Sequence, residues 1–224
     1  MARRPTRGGS GAGRRPGHGN NQVRIIGGEH RGRRLRFPDQ PGLRPTSDRV
    51  RETLFNWLQP WLPGARVLDL FAGSGALGFE AASRGAARVV MLERAAAVAA
   101  RLEENRRLLD LEQVEILRAD ALEWLAGTGE PFDVVFLDPP FAESLLDACC
   151  SGLESSGWLE RDALVYIEHA AQAPPPNLPM AWKPLKEKRA GDVSYGLYRP
   201  NPDDSGTPRG LREIANCHLT SAWH

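Results

Sequence analysis

A glycine-rich stretch at residues 67–80, VLDLFAGSGALGFE, constrains the fold of this chain more than any other feature. It starts as an apolar strand pattern, and Gly73, Gly75 and Gly78 then follow in the spacing G-x-G-x-x-G. Such a turn between a first strand and a first helix lets a nucleotide-like ligand approach the backbone closely. Glu93, near the end of the next strand pattern, is the acidic residue expected beside a ribose. The turn alone leaves open whether the ligand is a nicotinamide dinucleotide or another nucleotide-like molecule.

From residue 65 onward the chain alternates strand-like and helix-like segments, which predicts an α/β fold. The strand-like segments are continuous runs of Val, Ile and Leu, as expected for a parallel sheet covered by helices on both faces. Five such strands are predicted, in ARVLDLF, ARVVMLE, VEILRAD, FDVVFLDPP and ALVYIEH. WKPLKEKRAGDVSYGLYRP then predicts an antiparallel hairpin about Gly191 and Asp192. We expect a doubly wound, mostly parallel seven-stranded sheet with a C-terminal antiparallel hairpin, a Rossmann-like topology typical of methyltransferases.

Positive charge is concentrated in residues 1–51, which contain thirteen arginines, no lysine and three acidic residues, whereas the rest of the chain is net acidic. Arginine makes two-pronged phosphate contacts and stacks on bases, so this arm suits a nucleic-acid partner. For residues 1–20 an equally open interpretation is a solubilising, disordered Arg/Gly-rich tail. VRIIGGEHRGRRLRFP predicts a small basic hairpin, and RPTSDRVRETLFNWLQPWL predicts a helix capped by Ser47 or Thr46.

These patterns divide the chain into four parts. We expect a disordered tail at residues 1–20, a basic hairpin at 21–45, a methyltransferase domain at 46–200 and a C-terminal tail without functional interpretation at 201–224. No apolar run approaches the roughly 20 residues of a membrane span, and the N-terminus lacks a secretory signal, so we expect a cytoplasmic protein. The cysteines, Cys149, Cys150 and Cys217, lack metal-ligand spacing and are expected to be free thiols. We expect a monomer without a metal or a membrane partner.

Acidic residues at successive strand ends decide which ligand fits the glycine turn. In a dinucleotide site the pyrophosphate rests on a helix N-terminus, and Asp69, just before the turn, would repel it. S-adenosylmethionine has no phosphate, and it offers an ammonium, a sulfonium, ribose hydroxyls and an adenine. We expect Glu93 to accept from the ribose hydroxyls, and Asp120 or its neighbouring backbone to meet the adenine amine. A single such acid is often a solvated strand end or a helix cap, but four, including Asp138, favour S-adenosylmethionine.

The fourth predicted strand ends in Asp138-Pro139-Pro140-Phe141, which resembles the [D/N]-P-P-[Y/F/W] motif of methyltransferases that modify exocyclic base amines. Such an amine is a weak nucleophile because its lone pair is delocalised into the ring, so acceptors that hold its hydrogens favour attack. Asp138 and the turn carbonyls are such acceptors, the prolines rigidify the turn, and Phe141 can stack on an extruded base. The predicted reaction is direct in-line methyl transfer, with Asp138 either taking the proton or only orienting the amine.

Taken together, these segments resemble the RsmD family of bacterial methyltransferases, which methylate N2 of a guanine (966 in reference numbering) in 16S ribosomal RNA. The resemblance spans about residues 22–200, in the order RIIGGEHRGRRL, GLRPTSDRVRETLFNWL, VLDLFAGSGALGFEAASRGA, FLDPPF and YGLYR. The blocks RGRRL and RPTSDRVRETLFNWL are more specific than the glycine turn, which many methyltransferases share. The resemblance implies that the partner is 16S rRNA or the 30S subunit. The resemblance implies nothing about the two terminal extensions, before residue 21 and after residue 200.

The resemblance also implies which residues form the site. The S-adenosylmethionine contacts are expected from Asp69, Ala72, Gly73, Ser74, Gly75, Glu93, Arg94, Asp120, Ala121 and Asp138. The methyl-accepting amine is expected at Asp138, Pro139, Pro140 and Phe141. RNA contacts are expected from Arg24, Arg31, Arg33, Arg34, Arg49 and Arg51. For Arg49, a surface ion pair on its helix is an equally open interpretation.

Three other functions share features with this sequence. A DNA adenine or cytosine N-methyltransferase also carries D-P-P-F, although the predicted loops leave little room for a duplex-recognition region. A non-catalytic ribosome-assembly factor that keeps the fold stays open. A dehydrogenase is disfavoured by Asp69 and by the lack of an evident catalytic group, because His169 is more often structural at such a position. We further expect deletion of residues 1–36 to weaken salt-dependent RNA binding while sparing cofactor binding.

Overall fold

The computed structural model describes residues 21–40, 43, 45–140 and 145–200, and the predictions for residues 1–20 and 201–224 lie outside this part of the chain. The strands are β1 (Gln22–Arg24), β2 (Arg34–Arg36), β3 (Arg66–Asp69), β4 (Arg88–Leu92), β5 (Val114–Leu117), β6 (Phe132–Leu137), β7 (Leu159–Ala170), β8 (Lys183–Ala190) and β9 (Val193–Arg199). The helices are α1 (Asp48–Leu58), α2 (Gly78–Ser83), α3 (Ala96–Leu109), α4 (Ala121–Leu125) and α5 (Leu146–Ser155).

Seven of these strands form one sheet in the order β5-β4-β3-β6-β7-β9-β8. Strands β3 to β7 run parallel to their neighbours, whereas β9 is antiparallel to β7 and β8 is antiparallel to β9. The predicted mostly parallel sheet with a closing hairpin is therefore confirmed. The chain reverses its direction of progress across the sheet between β3 and β6, and ligands of such sheets bind at the carboxyl ends of the strands near this point.

The apolar strand runs are continuous because the central strands are buried on both faces. Alternate residues of β6 belong to different cores: Val134 and Phe136 face one, Val135 and Leu137 face the other. Helices α1, α2 and α3 cover the first core, and helices α4 and α5 cover the second. Burial of large apolar side chains in both layers is the main source of stability for such a sheet.

The N-terminal hairpin shares the first core. Strands β1 and β2 are antiparallel, and Val23, Ile25 and Leu35 are buried in the same cluster as α1 and α2. The loop between them approaches α2 so closely that a Cβ at Gly28 would lie 1.8 Å from the carbonyl oxygen of Ser83. The prediction for the deletion of residues 1–36 assumed that this segment is separate from the core, and that assumption is wrong. That deletion would remove core side chains and unfold more than an RNA-binding arm.

The two cysteines within the described residues, Cys149 and Cys150, are buried and free, as predicted. Burial in apolar surroundings is the largest cause that raises the pKa of each thiol to about 12, so neither is a thiolate at neutral pH. None of the helices that the structure describes combines the length and apolar character needed to cross a membrane.

Strand β8 forms one edge of the sheet and carries Lys183, Lys186 and Lys188, which are all the lysines of the sequence. Seven of its eight residues are exposed. An exposed edge strand can pair with another chain, and lysines on that edge oppose such pairing. We therefore interpret this positive charge as protection of the sheet edge.

Candidate active site

Four acidic residues lie at the carboxyl ends of four adjacent parallel strands. Asp69 is the last residue of β3, Glu93 follows β4, and Asp138 follows β6. Asp120 lies three residues beyond the end of β5, on the same edge of the sheet. The structure thus gathers the four acids that the sequence analysis singled out at the edge where ligands of this fold bind.

The Asp69 carboxylate is buried and only partly satisfied. Its Oδ2 accepts a hydrogen bond from the Gly78 N–H at 3.1 Å, whereas no described group donates to its Oδ1 at hydrogen-bond geometry. Burial is the largest cause that raises the Asp69 pKa to about 7, and the nearby Glu93 charge adds to it. The backbone amides of Phe71 and Gly78 partly offset that shift. A buried carboxylate oxygen without a donor suits a cationic ligand group such as an ammonium.

The glycine turn is held against Glu93. Glu93 Oε2 accepts from the Gly73 N–H at 3.2 Å, and its Oε1 accepts from the Ala95 N–H at 2.7 Å. Gly73 and Gly75 both have positive φ, at 50° and 78°, a conformation that side chains with a Cβ rarely adopt. A Cβ at Gly75 would also lie 2.5 Å from the Phe79 ring. The glycines therefore let the turn pass close to the strand-end acids.

The remaining residues expected at the cofactor differ in their surroundings. Ala72 and Ser74 are buried within the turn, Ala121 is buried at the start of α4, and Arg94 is exposed beside Glu93. Asp120 is the N-cap of α4, because its Oδ1 accepts from the amides of Leu122 at 2.9 Å and Glu123 at 3.3 Å. The helix-cap interpretation thus applies to Asp120, and its second carboxylate oxygen takes no part in the cap.

The Asp138 turn lies beside Asp69 at the centre of this edge. Asp138 is half-buried, and its Oδ2 accepts a hydrogen bond from the Thr46 hydroxyl at 3.0 Å. Burial raises the Asp138 pKa well above its usual value, the charges of Glu168 and Asp69 raise it further, and the Thr46 hydroxyl opposes the shift. Pro139 is buried and Pro140 is exposed, while Phe141 lies outside the described residues.

Sequence reasoning missed the roles of Thr46 and Glu168. Ser47, rather than Thr46, caps α1, because its side chain accepts from the Val50 N–H at 3.4 Å. This leaves the Thr46 hydroxyl free to bond Asp138. Glu168 lies on β7, is 4% exposed, and accepts from the Tyr166 hydroxyl at 2.7 Å. The signal for Glu168 was present, since an acidic residue in the apolar run VYIEH needs a specific reason to be buried.

The arginines expected to bind RNA fall into three groups. Arg24 and Arg34 are exposed on the hairpin and line a groove of about 400 Å³ that also includes Thr46. Arg31 and Arg33 are exposed in the loop of the hairpin, and Arg49 is exposed in the first turn of α1. The groove connects the arginine-bearing hairpin with the residue that bonds Asp138.

Arg51 was wrongly expected to contact RNA. Its side chain is 1% exposed; its Nε donates to the Thr46 carbonyl at 3.2 Å and its Nη2 donates to Asp48 at 2.6 Å. Its Nη1 lies 3.8 Å from Glu80 Oε2. The helical pattern of α1 places position 51 on the buried face, where the guanidinium holds the segment that precedes the helix.

Comparisons with known proteins agree with this geometry. Residues 23–199 match the family described as Conserved hypothetical protein 95. The chain is 48% identical over 187 residues to "Ribosomal RNA small subunit methyltransferase D" of Escherichia coli K12, covering 83% of this chain and 94% of that protein. It is 47% identical over 182 residues to the protein of the same name from Haemophilus influenzae, covering 80% and 94%.

A solved structure gives the same result for the fold. The "putative methyltransferase yhhF" from Escherichia coli superposes with a TM-score of 0.77 at 44% identity, and the match covers 82% of this chain and all of that one. The family match over residues 23–199, the high identity over most of both chains and the shared fold lead to one conclusion. This chain belongs to the Conserved hypothetical protein 95 family, which is the RsmD family of methyltransferases.

Proposed function

We propose that this protein transfers a methyl group from S-adenosylmethionine to the exocyclic N2 of one guanine, 966 in reference numbering, in 16S ribosomal RNA. The observation that carries the proposal is the position of the Asp138-Pro139-Pro140 turn next to the partly unsatisfied Asp69, at the carboxyl edge of the sheet. The names of the relatives, which are small-subunit ribosomal RNA methyltransferases, support the choice of RNA. The reaction would take place in the cytoplasm on the 30S subunit or its precursor.

The cofactor would lie across the glycine turn. When bound, S-adenosylmethionine supplies an electrophilic methyl group on a sulfonium centre. In this proposal Asp69 Oδ1 accepts from the ammonium group, and Glu93 accepts from the ribose hydroxyls while it also holds the Gly73 amide. The backbone near Asp120 and Ala121 would meet the adenine. The ionised carboxylates of Asp69 and Glu93 are acceptors, as a cationic, hydroxyl-bearing ligand requires.

The amine would be held at the Asp138 turn. The Asp138 carboxylate and the turn carbonyls accept the amine hydrogens, which keeps the nitrogen lone pair directed at the methyl group. Because the Asp138 pKa is raised, this carboxylate is also a stronger base than an ordinary aspartate and can take the proton that the methylated nitrogen releases. Phe141 would stack on the base. Rate enhancement comes chiefly from positioning and from charge placed before the reaction.

The RNA would lie on the outer face of the N-terminal hairpin. In the β1–β2 register, Gln22 pairs with Arg36 and Arg24 pairs with Arg34, while Val23 and Leu35 pair on the buried face. Alternation along each strand therefore places three arginines on one exposed surface. Arg34 is shared by the groove that reaches Thr46 and by a second groove of about 630 Å³ toward α3. Phosphates on this surface would orient the target base toward Asp138.

Methyl transfer to 30S particles that lack the modification tests the proposal. Labelled S-adenosylmethionine, followed by nucleoside analysis, should yield N2-methylguanosine with the native protein and none with Asp138→Ala. The matched control is Asp110→Asn, an exposed position with φ of 55° that asparagine tolerates, which should retain full activity. N6-methyladenosine as product would overturn the guanine assignment. Transfer to duplex DNA instead of 30S particles would favour the DNA methyltransferase interpretation.

A binding assay tests the RNA surface separately. Arg34→Ala and Arg36→Ala should each weaken binding of the rRNA fragment and lower the slope of log affinity against log salt by about 1. Lys186→Ala is the matched control, because it removes the same charge from the exposed edge strand β8. Equal effects of all three substitutions would contradict the assignment of the hairpin as the RNA-binding surface.

A further inference from the structure

A hydroxyl and two carboxylates from three separate elements meet behind the Asp138 turn. Asp138 follows β6, Glu168 is on β7, and Thr46 precedes α1. The parallel pairing of β6 with β7 places Leu137 opposite Ile167, so the next residue on each strand is brought to the same level. The Thr46 hydroxyl donates to Asp138 Oδ2 at 3.0 Å and lies near enough to Glu168 to lower the pKa of that carboxyl.

Glu168 is almost inaccessible to solvent, and its neighbours there include hydroxyl groups. It is 4% exposed, its Oε2 accepts from the Tyr166 hydroxyl at 2.7 Å, and Tyr166 itself is fully buried. Thr46 is 8% exposed. A threonine hydroxyl has a single proton to donate, so it can satisfy only one of two facing carboxylates at a time. The other carboxylate then remains without that donor.

The carboxylate charges near Asp138 all favour its protonated form. Asp138 faces Glu168 on β7 and Asp69 on β3, and the hydroxyls that face Glu168 are those of Tyr166 and Thr46. Two carboxylates that face each other in a largely buried site do not both ionise readily. Burial and the charge of Glu168 raise the Asp138 pKa, and burial raises the Glu168 pKa while its two hydroxyl donors lower it. Asp138 is partly exposed at the carboxyl edge of the sheet whereas Glu168 is 4% exposed, so Asp138 is the carboxyl of the two that a substrate amine can reach.

We propose that Glu168 is a positioning residue whose ionised carboxylate, acting across Thr46, makes Asp138 the proton acceptor for the amine. The inference rests on the proposed function and adds a residue to it. During transfer the bond from nitrogen to the methyl carbon forms, and the bond from sulfur to that carbon breaks with its electron pair left on sulfur. The proton on the nitrogen passes to ionised Asp138. That proton leaves to solvent before the next turnover, and the Tyr166 hydroxyl, which donates to Glu168, favours the ionised form of that carboxylate.

The pH dependence of single-turnover methyl transfer tests this role. The rate should fall at low pH as Asp138 becomes protonated, and in Glu168→Gln this acid limb should move to lower pH by about one unit or more, with a lower plateau rate. Thr46→Val removes a donor to Asp138 and should move the limb to higher pH. Thr46→Ser restores the hydroxyl and should bring the limb back. Opposite shifts from two neighbouring substitutions are not expected if both residues only support the fold.

A stability measurement gives a readout that needs no substrate. Carboxyls whose pKa is raised in the folded state stabilise it at pH below their ordinary values, and this contribution is lost as pH rises through the raised pKa. The free energy of unfolding should therefore decline as pH rises from the ordinary carboxyl range through the raised pKa values, and less steeply in Glu168→Gln, which removes one carboxyl and lowers the pKa of the other. Tyr166→Phe is the second variant should Glu168→Gln fail to fold. It weakens ionisation of Glu168 and should shift the acid limb slightly downward.

The outcomes separate this inference from the proposed function. If N2-methylguanosine forms and depends on Asp138, but the acid limb and the stability profile are the same in Glu168→Gln, the role of Glu168 is overturned while the function stands. If no methyl transfer occurs but the stability profile flattens in Glu168→Gln, the carboxylate pair stands and the proposed function is overturned. His169 is the next residue of β7 and lies on the opposite face of that strand. His169→Gln is the control, and it should leave the acid limb of the rate and the pH dependence of the free energy of unfolding unchanged.

Discussion

Two sets of carboxylates in the same domain differ in whether an arginine compensates their charge. Glu80 on α2 is 0% exposed and both of its oxygens are bonded: to the amides of Ile26 at 2.7 Å and Gly27 at 2.8 Å, and to Arg84 Nε at 2.6 Å. A second guanidinium, that of Arg51, lies 3.8 Å away. Glu80 is thus a structural acid, which fastens the N-terminal hairpin to the sheet domain with charged and neutral donors together.

Asp69, Asp138 and Glu168 in the candidate site also have amide or hydroxyl donors, but among the described residues they form no ion pair with an arginine or a lysine. Asp69 bonds the amide of Gly78, Asp138 bonds Thr46, and Glu168 bonds the hydroxyl of Tyr166. Burial is the largest cause of the raised pKa in each of them. The comparison teaches that burial alone does not identify a functional acid in this fold. Its partners do, because a carboxylate that lacks a compensating cation keeps its capacity to bind one or to take a proton.

The largest effect is expected when the structural acid Glu80 loses its charge. Glu80→Gln leaves Arg84 and Arg51 without their buried counter-charge and should lower the free energy of unfolding by about 3–5 kcal/mol. Urea unfolding at pH 7 measures it. Glu104→Gln is the control, since Glu104 is exposed and should change stability by no more than about 0.5 kcal/mol. A loss of less than about 1 kcal/mol for Glu80→Gln would remove the distinction between the two sets of acids.

The second prediction concerns the acid that contacts the amine. Asp138→Asn should lower the methyl-transfer rate about 10²–10⁴-fold, because the amide cannot accept the proton. Stability should respond in the opposite way to that of Glu80→Gln. Above the raised Asp138 pKa, where the native carboxyl must ionise although burial disfavours its charge, the asparagine variant should unfold at an equal or higher urea concentration. A strongly destabilised Asp138→Asn would mean that this acid, too, is structural.

The third prediction concerns the acid expected at the ammonium of the cofactor. Asp69 must ionise to bind a cation, and its pKa is about 7 in the free protein. Affinity for S-adenosylmethionine should therefore fall as pH is lowered through 7 toward 5.5, and calorimetric titration measures this decline. Asp69→Asn should bind about 10–100-fold more weakly at pH 7.5 and show no such decline, since a hydrogen bond to a charged group contributes about 1.5–3 kcal/mol. An unchanged pH dependence in Asp69→Asn would place the ammonium elsewhere.

The smallest effect is expected for a paired acid near the surface. The hydrogen bond from the Arg106 guanidinium is the largest cause that lowers the Glu103 pKa to about 2; burial opposes it, and the Arg107 guanidinium lowers the pKa further. A lowered pKa stabilises the fold above the ordinary carboxyl range, and this contribution is lost as pH falls toward 2. Because solvent screens the site, Glu103→Gln should cost only about 0.2–1 kcal/mol at pH 7, and less in high salt. A cost above about 2 kcal/mol would show that partners stabilise this acid as strongly as they stabilise Glu80.

The sheet was largely predictable because its signals are local. Continuous apolar runs indicated the five parallel strands, and Gly191 with Asp192 indicated the closing hairpin. Strand β7 was predicted to begin at Ala163, but it begins at Leu159. The charged residues 160–162 interrupt the apolar pattern that would have indicated its first part. These side chains are exposed or half-buried, so the pattern there has no apolar run. A strand that extends beyond the covering helices loses its sequence signal there.

The candidate site was predictable in its acids and not in their partners. Strand-end position follows from the strand pattern, so Asp69, Glu93 and Asp138 could be placed together. Arg51 was misassigned because an arginine on a basic arm gives no local sign that it turns inward toward Glu80. Glu168 was passed over because the run around it indicated only a buried strand. In both cases the missing information was the identity of a distant neighbour.

The sequence by itself determined the fold class, the strand-end carboxylates and the D-P-P-F turn, because spacing of two to four residues and short motifs encode them. The tertiary structure alone decided which buried acids are neutralised and which are left reactive. Thr46 reaches Asp138 across 92 positions of the chain, and Ile26 reaches Glu80 across 54. The pKa of a carboxyl depends on the charges, donors and water within a few ångströms, and packing of the folded chain sets all three.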